Sequence, residues 1–280
     1  MKKLSSKQKS ILTAAAAFLI CMVFLYPLYW LIVTSLKTEV DIFKSPPSLF
    51  PETVSFNAYL SQLKSGEYNM LNAFYNSAII SVSAMVLSTV LSIPAAYGLA
   101  RFRFKGKKLF ILSFLVTQML PSTLVLTPLF IMFNNLQIIN TYVAPILADS
   151  TIGIPFAILI LRTYFLSIPK ELEEAAKMDG CNHFTAFIRI MIPIAYPGVV
   201  VAAVFSLLYA WGDLIYGLTF INKSSMRPIT AGIYNFMQQY GTSWNSVMAY
   251  GMITISPVVL IFIFMQKYIV SGLTNGAIKA

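Results

Sequence analysis

The sequence predicts an all-α membrane protein whose chain crosses the bilayer six times. Composition is the first observation behind this prediction: of 280 residues, 58% are apolar and only 11% are charged, whereas a soluble domain carries about 25% charged residues. The second is the length of the uncharged runs, several of which exceed the roughly 20 residues that a helix needs to cross the hydrocarbon. Such runs must be helical because lipid offers no hydrogen-bond partner to backbone groups.

The first span follows a basic N-terminal segment, residues 1–10, that contains four lysines. The apolar run behind it, from Ile11 to Val33, is longer than the core of a signal peptide, so we interpret it as an uncleaved membrane helix. Charged and turn-forming residues delimit the other spans. The six predicted spans cover residues 11–36, 71–100, 109–133, 142–165, 196–221 and 246–269 of a membrane domain of residues 11–270, and a tail of residues 271–280 follows.

Several prolines fall inside the predicted spans. A proline within a helix removes a backbone hydrogen bond and bends the helix. We therefore predict kinked helices packed against their neighbours, and the use of the kinks as hinges of a gate is the alternative. The prolines concerned are Pro94, Pro121, Pro128, Pro155 and Pro257.

The distribution of basic residues predicts the orientation of the chain. With the N-terminus on the cytoplasmic side, 15 of the 20 lysines and arginines fall on the inner side and five on the outer side. Cytoplasmic loops of membrane proteins carry such an excess. We therefore expect both termini, and the loop of residues 166–195, in the cytoplasm. The net charge of +10 then reflects membrane topology and gives no reason to expect nucleic-acid binding.

The loop of residues 166–195 contains a charged island, Glu174–Gly180, between two apolar spans. Pro169 suits the first turn of a helix, and the glutamates within residues 171–174 place negative charge where the helix dipole favours it. Gly180 can adopt the left-handed conformation that ends a helix, and Asn182 can cap a second one. We predict two short helices joined at a glycine corner.

Small alanines on an exposed face of this loop would let another protein approach closely. The alternative is an amphipathic linker that rests on lipid headgroups. Three glutamates in one turn disfavour that alternative because the inner leaflet is itself negative. The residue pattern therefore favours a docking element.

The loop also carries a motif with fixed spacing. Glu174-Ala175-Ala176 is followed by Gly180 and by Ile190-x-Ile192-Pro193, which resembles the EAA loop of permease subunits of ABC importers, with Ile192 where leucine is usual. Other stretches resemble the carbohydrate (maltose-type) branch of the binding-protein-dependent transport inner membrane components. These stretches are Tyr26-Pro27-Leu28-Tyr29-Trp30, Phe165 through Glu171, and Trp211-Gly212-Asp213, in which Gly212 replaces the usual asparagine.

The resemblance implies the type I permease fold of ABC importers, with six spans and cytoplasmic coupling helices. The coupling helices would seat in a groove of an ATPase subunit, and the solute would be a sugar or oligosaccharide. The implied partners are a second homologous permease in a heterodimer (or, alternatively, a homodimer), two ATPase subunits that use ATP and Mg²⁺, and an extracytoplasmic solute-binding protein. The implied location is a bacterial or archaeal cell membrane. The coupling residues would be Glu174, Ala175, Ala176, Asp179 and Gly180.

The sequence offers no catalytic or metal site of its own. It lacks the G-x-x-x-x-G-K-[S/T] phosphate loop, so we expect a transport subunit whose energy comes from a partner, and no enzyme. One histidine and the distant Cys21 and Cys181 give neither a catalytic cluster nor metal-ligand spacing. An ion-coupled secondary transporter would need an inverted repeat and several coupling carboxylates, and the sequence shows no clear repeat and few carboxylates. An ABC importer of a non-sugar solute is therefore the first alternative to a sugar importer.

Two carboxylates fall inside the predicted spans, Asp149 and Asp213. Ionisable groups in membranes are costly and often functional. Asp149 could line an aqueous path or contact a neighbouring helix. Asp213 is close in sequence to Trp211 and Tyr216, and an aromatic ring beside a carboxylate suits a sugar, because the ring packs on its apolar face while the oxygens accept its hydroxyl protons. These four residues are the candidates for the translocation path, and an aromatic belt with helix contacts is the alternative.

Overall fold

The computed structural model describes residues 6–63, 69–238 and 241–277. The described residues are mostly helical. The helices are α1 (Ser6–Ser35), α2 (Glu39–Ile42), α3 (Asn57–Leu63), α4 (Met70–Arg101), α5 (Lys107–Met119), α6 (Ser122–Asn135), α7 (Val143–Ser167), α8 (Lys170–Met178), α9 (His183–Ala186), α10 (Ile192–Ile194), α11 (Tyr196–Gly212), α12 (Ile215–Phe220) and α13 (Trp244–Ala277). A two-residue antiparallel hairpin joins β1 (Met237–Gln238) to β2 (Gly241–Thr242).

The described helices provide four membrane spans, or up to six if two bent helix pairs each count as one span. Four are long and apolar enough to cross a bilayer: the Ser10–Ser35 part of α1, α4, α7 and the Trp244–Gln266 part of α13. Two bent pairs are also long and apolar enough when each pair is taken as one span, namely α5 with α6, bent by 101°, and His183–Ile194 with α11, bent by 73°. The upper count equals the six spans that the uncharged runs predict, although His183–Ile194 of the second pair belongs to the predicted loop.

The third predicted span is an elbow. α5 ends at Met119 and α6 begins at Ser122, and the backbone of Leu120 and Pro121 between them is extended. A proline disfavours the helical conformation of the residue before it, which explains why the chain breaks here. The other four prolines named above lie inside helices: Pro94, Pro128, Pro155 and Pro257.

One compact unit contains the chain up to Gly66 and residues Ile233–Ser256. Within it, the segment after α1 folds back onto the end of that helix, where Ser35 Oγ and Tyr59 Oη share a hydrogen bond of 2.7 Å. Lys37 is buried, donates to the Ser48 carbonyl, and places its ammonium 5.1 Å from the centre of the Trp30 ring. These contacts order the predicted external segment.

A second compact unit contains residues Glu67–Gly232 and the chain from Pro257 onward. Its core lies where α4, α7 and α11 pack together. Small residues at membrane-helix contacts let backbones approach closely, and a Cβ added to Gly153 would lie 2.6 Å from Ser88 Oγ, while one added to Gly198 would lie 2.4 Å from the Tyr164 ring. One cluster of buried core side chains includes Ala96, Ala157, Leu161, Phe165, Met191 and Ala202.

Candidate functional site

The first loop helix, α8, ends in a sharp glycine corner. Gly180 has φ +87°, the left-handed conformation that the sequence predicts. Its N–H donates to the Lys177 carbonyl at 3.1 Å, and the Cys181 N–H donates to the Ala176 carbonyl at 3.0 Å. This pair of bonds satisfies the last carbonyls of the helix in the Schellman arrangement. A Cβ on Gly180 would meet nothing within 4 Å, so the backbone conformation alone calls for glycine.

The second loop helix begins directly after the corner. Asn182 Oδ1 accepts a hydrogen bond of 2.8 Å from the Thr185 N–H, which confirms the predicted cap. The helical backbone continues from α9 through a π-helical stretch, Phe187–Met191, into α10. The loop is therefore two short helices at a glycine corner, as the residue pattern predicts.

Glu173, which the motif does not single out, is the buried charge of the loop. It is 7% exposed. Tyr97 Oη donates to its Oε1 at 2.9 Å, and Arg101 Nε lies 3.3 Å from its Oε2. The Arg101 guanidinium also donates to the Ile168 carbonyl at 2.8 Å. Because Tyr97 and Arg101 belong to the last turns of α4, these contacts fasten α8 to a helix of the core.

Both loop helices converge on the same carboxylate. Lys177 Nζ of α8 lies 3.4 Å from Glu173 Oε1, and His183 Nδ1 of α9 lies 3.8 Å from it. Aromatic packing adds to the connection, since the Tyr97 ring centroid is 4.6 Å from that of Phe187 in the second loop helix. The two loop helices and the end of α4 are thus held together at one point.

The predicted coupling residues divide between two faces of the loop. Glu174, Ala175, Asp179 and Gly180 are exposed. Ala176 is buried, with 3% exposure. The expectation of small alanines on an exposed face therefore holds for Ala175 and is wrong for Ala176, which faces the body of its own chain.

Two large apolar side chains stand exposed at the corner, Met178 at 89% and Phe184 at 70%. Exposed apolar groups beside polar ones mark protein-contact surfaces when they lie together. We call the exposed set the corner surface. It consists of Glu174, Ala175, Met178, Asp179, Gly180 and Phe184.

Three of the four candidate translocation-path residues have local structural contacts. Asp213 Oδ2 accepts a hydrogen bond of 3.0 Å from the Gly217 N–H, so its carboxylate caps α12. Trp211 is buried and packs edge-on against Phe74 with centroids 5.2 Å apart. Tyr216 is fully buried and its ring stacks on that of Phe220 with centroids 5.8 Å apart, while its hydroxyl has no hydrogen-bond partner among the described residues. These contacts favour the helix-contact interpretation for the three residues.

Asp149 differs from these three because its whole carboxylate lacks such a contact. It is 2% exposed, and neither carboxylate oxygen has a hydrogen-bond partner among the described residues. A buried polar group is costly unless it is satisfied, and an unsatisfied one in a native structure points to a water, an ion or a function. Gly153 and Phe156 follow one and two helical turns further along the same face of α7.

That face of α7 borders a cavity of about 400 Å³. The cavity combines aromatic walls with amide and hydroxyl groups, which is the usual make-up of a small-molecule site. Gln118 Nε2 donates to the Ile152 carbonyl at 2.9 Å, which fixes the amide at the wall. We call this cavity the α7–α11 cavity. Its lining is Gln118, Leu120, Ser122, Ile152, Gly153, Phe156, Phe205, Ser206 and Tyr209.

Residues 88–275, which include the loop and the lining of the α7–α11 cavity, match the family model described as "Binding-protein-dependent transport system inner membrane component". The chain belongs to this family. It is therefore a membrane component of a transport system, which sets aside a membrane enzyme and an ion-coupled secondary transporter.

Individual relatives agree with the family match. The probable ABC transporter permease protein YurM of Bacillus subtilis (strain 168) is 36% identical over 262 residues, which cover 94% of this chain and 86% of YurM. The arabinooligosaccharides transport system permease protein AraQ of Halalkalibacterium halodurans is 33% identical over 272 residues, which cover 96% of each chain.

A solved structure confirms the fold. One chain in the crystal structure of a bacterial ABC transporter involved in the import of the acidic polysaccharide alginate superposes with a TM-score of 0.79. The match covers 96% of this chain and 99% of that one, at 20% sequence identity. The chain has the all-α fold of an ABC importer permease, with its two loop helices between the fourth and fifth spans.

Proposed function

We propose that this chain is one permease subunit of an ATP-driven ABC importer and forms half of the path for a sugar or oligosaccharide. The observation that carries the proposal is the loop: its outer face is the corner surface, and its inner face is fastened to α4 through Glu173. A surface built in this way can receive force from outside the membrane and pass it to a spanning helix. The arabinooligosaccharide relative supports the solute class.

ATP hydrolysis is assigned to two cytoplasmic ATPase subunits that bind ATP with Mg²⁺. One of them docks on the corner surface, where Met178 and Phe184 fill a groove and the carboxylates of Glu174 and Asp179 fix the register by charge. Ala175 keeps the approach close because it is small. Closure of the ATPase pair then moves α8, and the contacts of Glu173 carry the movement to α4.

The remaining partners follow from the half-pore arrangement. A second, homologous permease completes the path, most simply as a heterodimer, and an extracytoplasmic binding protein delivers the solute. The chain lies in the cell membrane with both termini in the cytoplasm, because that orientation puts 15 of its 20 basic residues on the inner side.

The α7–α11 cavity is the part of the solute path that this chain contributes. Its Phe156, Phe205 and Tyr209 rings can pack on the apolar face of a sugar, while Gln118 and Ser122 can exchange hydrogen bonds with its hydroxyls. Asp149 lies one helical turn from Gly153 in the cavity wall. Asp149 itself is buried and does not line the cavity, so a bound water is the partner that its unsatisfied oxygens would take.

The assembled complex provides the test. The chain, its second permease, ATPase and binding protein are reconstituted in vesicles, and uptake of labelled oligosaccharides is measured together with ATP hydrolysis. Tyr209→Ala should raise the KM for uptake about ten-fold, the loss expected for one aromatic contact with the solute. ATP hydrolysis in the absence of solute should not change.

Tyr75→Ala is the matched control, because Tyr75 is an exposed tyrosine outside the cavity. It should transport like the unmodified protein. Equal KM values for the two variants would remove the cavity from the path, and ATP hydrolysis that no sugar stimulates would overturn the assignment of solute class.

A further inference from the structure

A second cavity, of about 520 Å³, lies where the turn from α4 to α5 meets the end of α7. All of its charged lining is positive. Among the described residues, none of the ion pairs includes any of its four cationic side chains. We call it the basic cavity. Its lining is Arg103, Phe104, Gly106, Lys107, Lys108, Ile111 and Arg162.

Two of the four cations of the basic cavity, Lys107 and Arg162, are partly buried. Lys107 is half-buried and its Nζ donates to the Phe102 carbonyl at 3.3 Å. Arg162 reaches the cavity from α7, and its Nε is buried without a hydrogen-bond partner among the described residues. A buried donor of this kind is costly unless a ligand or water satisfies it. Four like charges around one space also repel each other unless an anion lies among them.

We propose that the basic cavity binds the phosphodiester headgroup of an anionic phospholipid of the inner leaflet. The inference rests on the proposed orientation, which puts this end of α4, α5 and α7 at the cytoplasmic surface. Basic pockets between membrane helices on that side take anionic lipid headgroups. An arginine fork matches a phosphate with two parallel hydrogen bonds, and Lys107 adds a point charge beside it.

The surroundings distinguish a lipid from free phosphate. Phe104 and Ile111 form part of the lining, so part of the cavity wall is apolar. Beyond it, α5 exposes Leu109 at 69% and Leu112 at 56%. A headgroup in the cavity would therefore leave its acyl chains beside an apolar helix surface, whereas free phosphate would gain nothing from these side chains.

The test measures lipid association with the purified permease complex in phosphatidylcholine vesicles that contain spin-labelled phosphatidylglycerol. The double variant Lys107→Gln/Arg162→Gln should bind the labelled lipid roughly 30-fold more weakly. Lys105→Gln, which removes an exposed cation that does not line the cavity, should bind it unchanged. Lys107→Arg/Arg162→Lys keeps the charges and should retain the lipid, which separates lost charge from misfolding. The readout needs no transport, so it stays valid if the proposed solute path is wrong.

Three results would overturn the proposal. The first is equal lipid association in the double variant and in Lys105→Gln. The second is displacement of the labelled lipid by inorganic phosphate as effectively as by unlabelled phosphatidylglycerol, which would make the site one for free phosphate. The third is a double variant that keeps its lipid but no longer binds the ATPase, which would assign the cavity to a protein contact.

Discussion

Arg101→Leu should abolish coupled transport while the chain still inserts in the membrane. The substitution leaves the Glu173 carboxylate, whose side chain is 9% exposed, without the guanidinium that faces it. Breaking a buried ion pair costs about 3 kcal/mol or more, equivalent to roughly 150-fold in an equilibrium. Lys177 and His183 remain near the carboxylate, but both are more exposed than Arg101. We expect α8 to leave its seat on α4, so that ATP hydrolysis no longer responds to solute.

Two further variants separate coupling from stability. Glu171→Gln removes an exposed glutamate of the same helix and should leave uptake unchanged. Arg101→Leu/Glu173→Leu replaces the pair by apolar groups, which often restores stability. We expect this double variant to regain thermal stability but not solute-stimulated ATP hydrolysis, because its α8 lacks the directional contact. Full coupling in Arg101→Leu would show that the contact plays no part in force transfer.

Gly180→Val should uncouple the complex through the backbone alone. Nothing lies within 4 Å of an added Cβ, so the expected strain comes from the backbone conformation. A β-branched residue at φ +87° costs about 2 kcal/mol. We expect the corner to open and to rotate α8 away from α9, which lowers uptake and weakens retention of the ATPase during purification.

Gly180→Asn is the matched control for this prediction. Asparagine tolerates the left-handed conformation better than other side chains. This variant should therefore keep most of the uptake, although its side chain is no smaller than that of valine. Valine and asparagine variants that behave alike would mean that the backbone conformation of the corner is irrelevant to docking.

The spans and the corner could be predicted because local chemistry determines them. An uncharged run of sufficient length must be a helix in lipid, and Gly180 and Asn182 are residue types suited to the conformations they adopt. The angle between two helices could not be predicted in this way, because hydropathy carries no information about it. The sequence therefore predicts one kinked span around Pro121, and the structure has a 101° elbow there.

The buried charge and the cavity could not be predicted because they depend on which helices meet. Three glutamates in one turn are equivalent in sequence, and Glu173 differs from Glu174 only because its face meets Arg101 of α4. One signal in the sequence could have indicated that Glu173 is buried. Glu173 and Ala176 are three residues apart, which puts both on one face of the helix. Likewise, Phe156 and Tyr209 are distant in sequence and share a cavity only after α7 and α11 pack.

Cysteine cross-linking at Ala175 tests the central claim, that a partner ATPase acts on this chain at the corner surface. The background replaces the native Cys21 and Cys181 with serine. Ala175→Cys should capture the ATPase subunit, with a yield that changes when ATP and Mg²⁺ are added, whereas Ser224→Cys, exposed on the predicted outer side, should capture none. Failure of Ala175→Cys to capture an ATPase in the active complex, or equal capture at Ser224→Cys, would contradict the account.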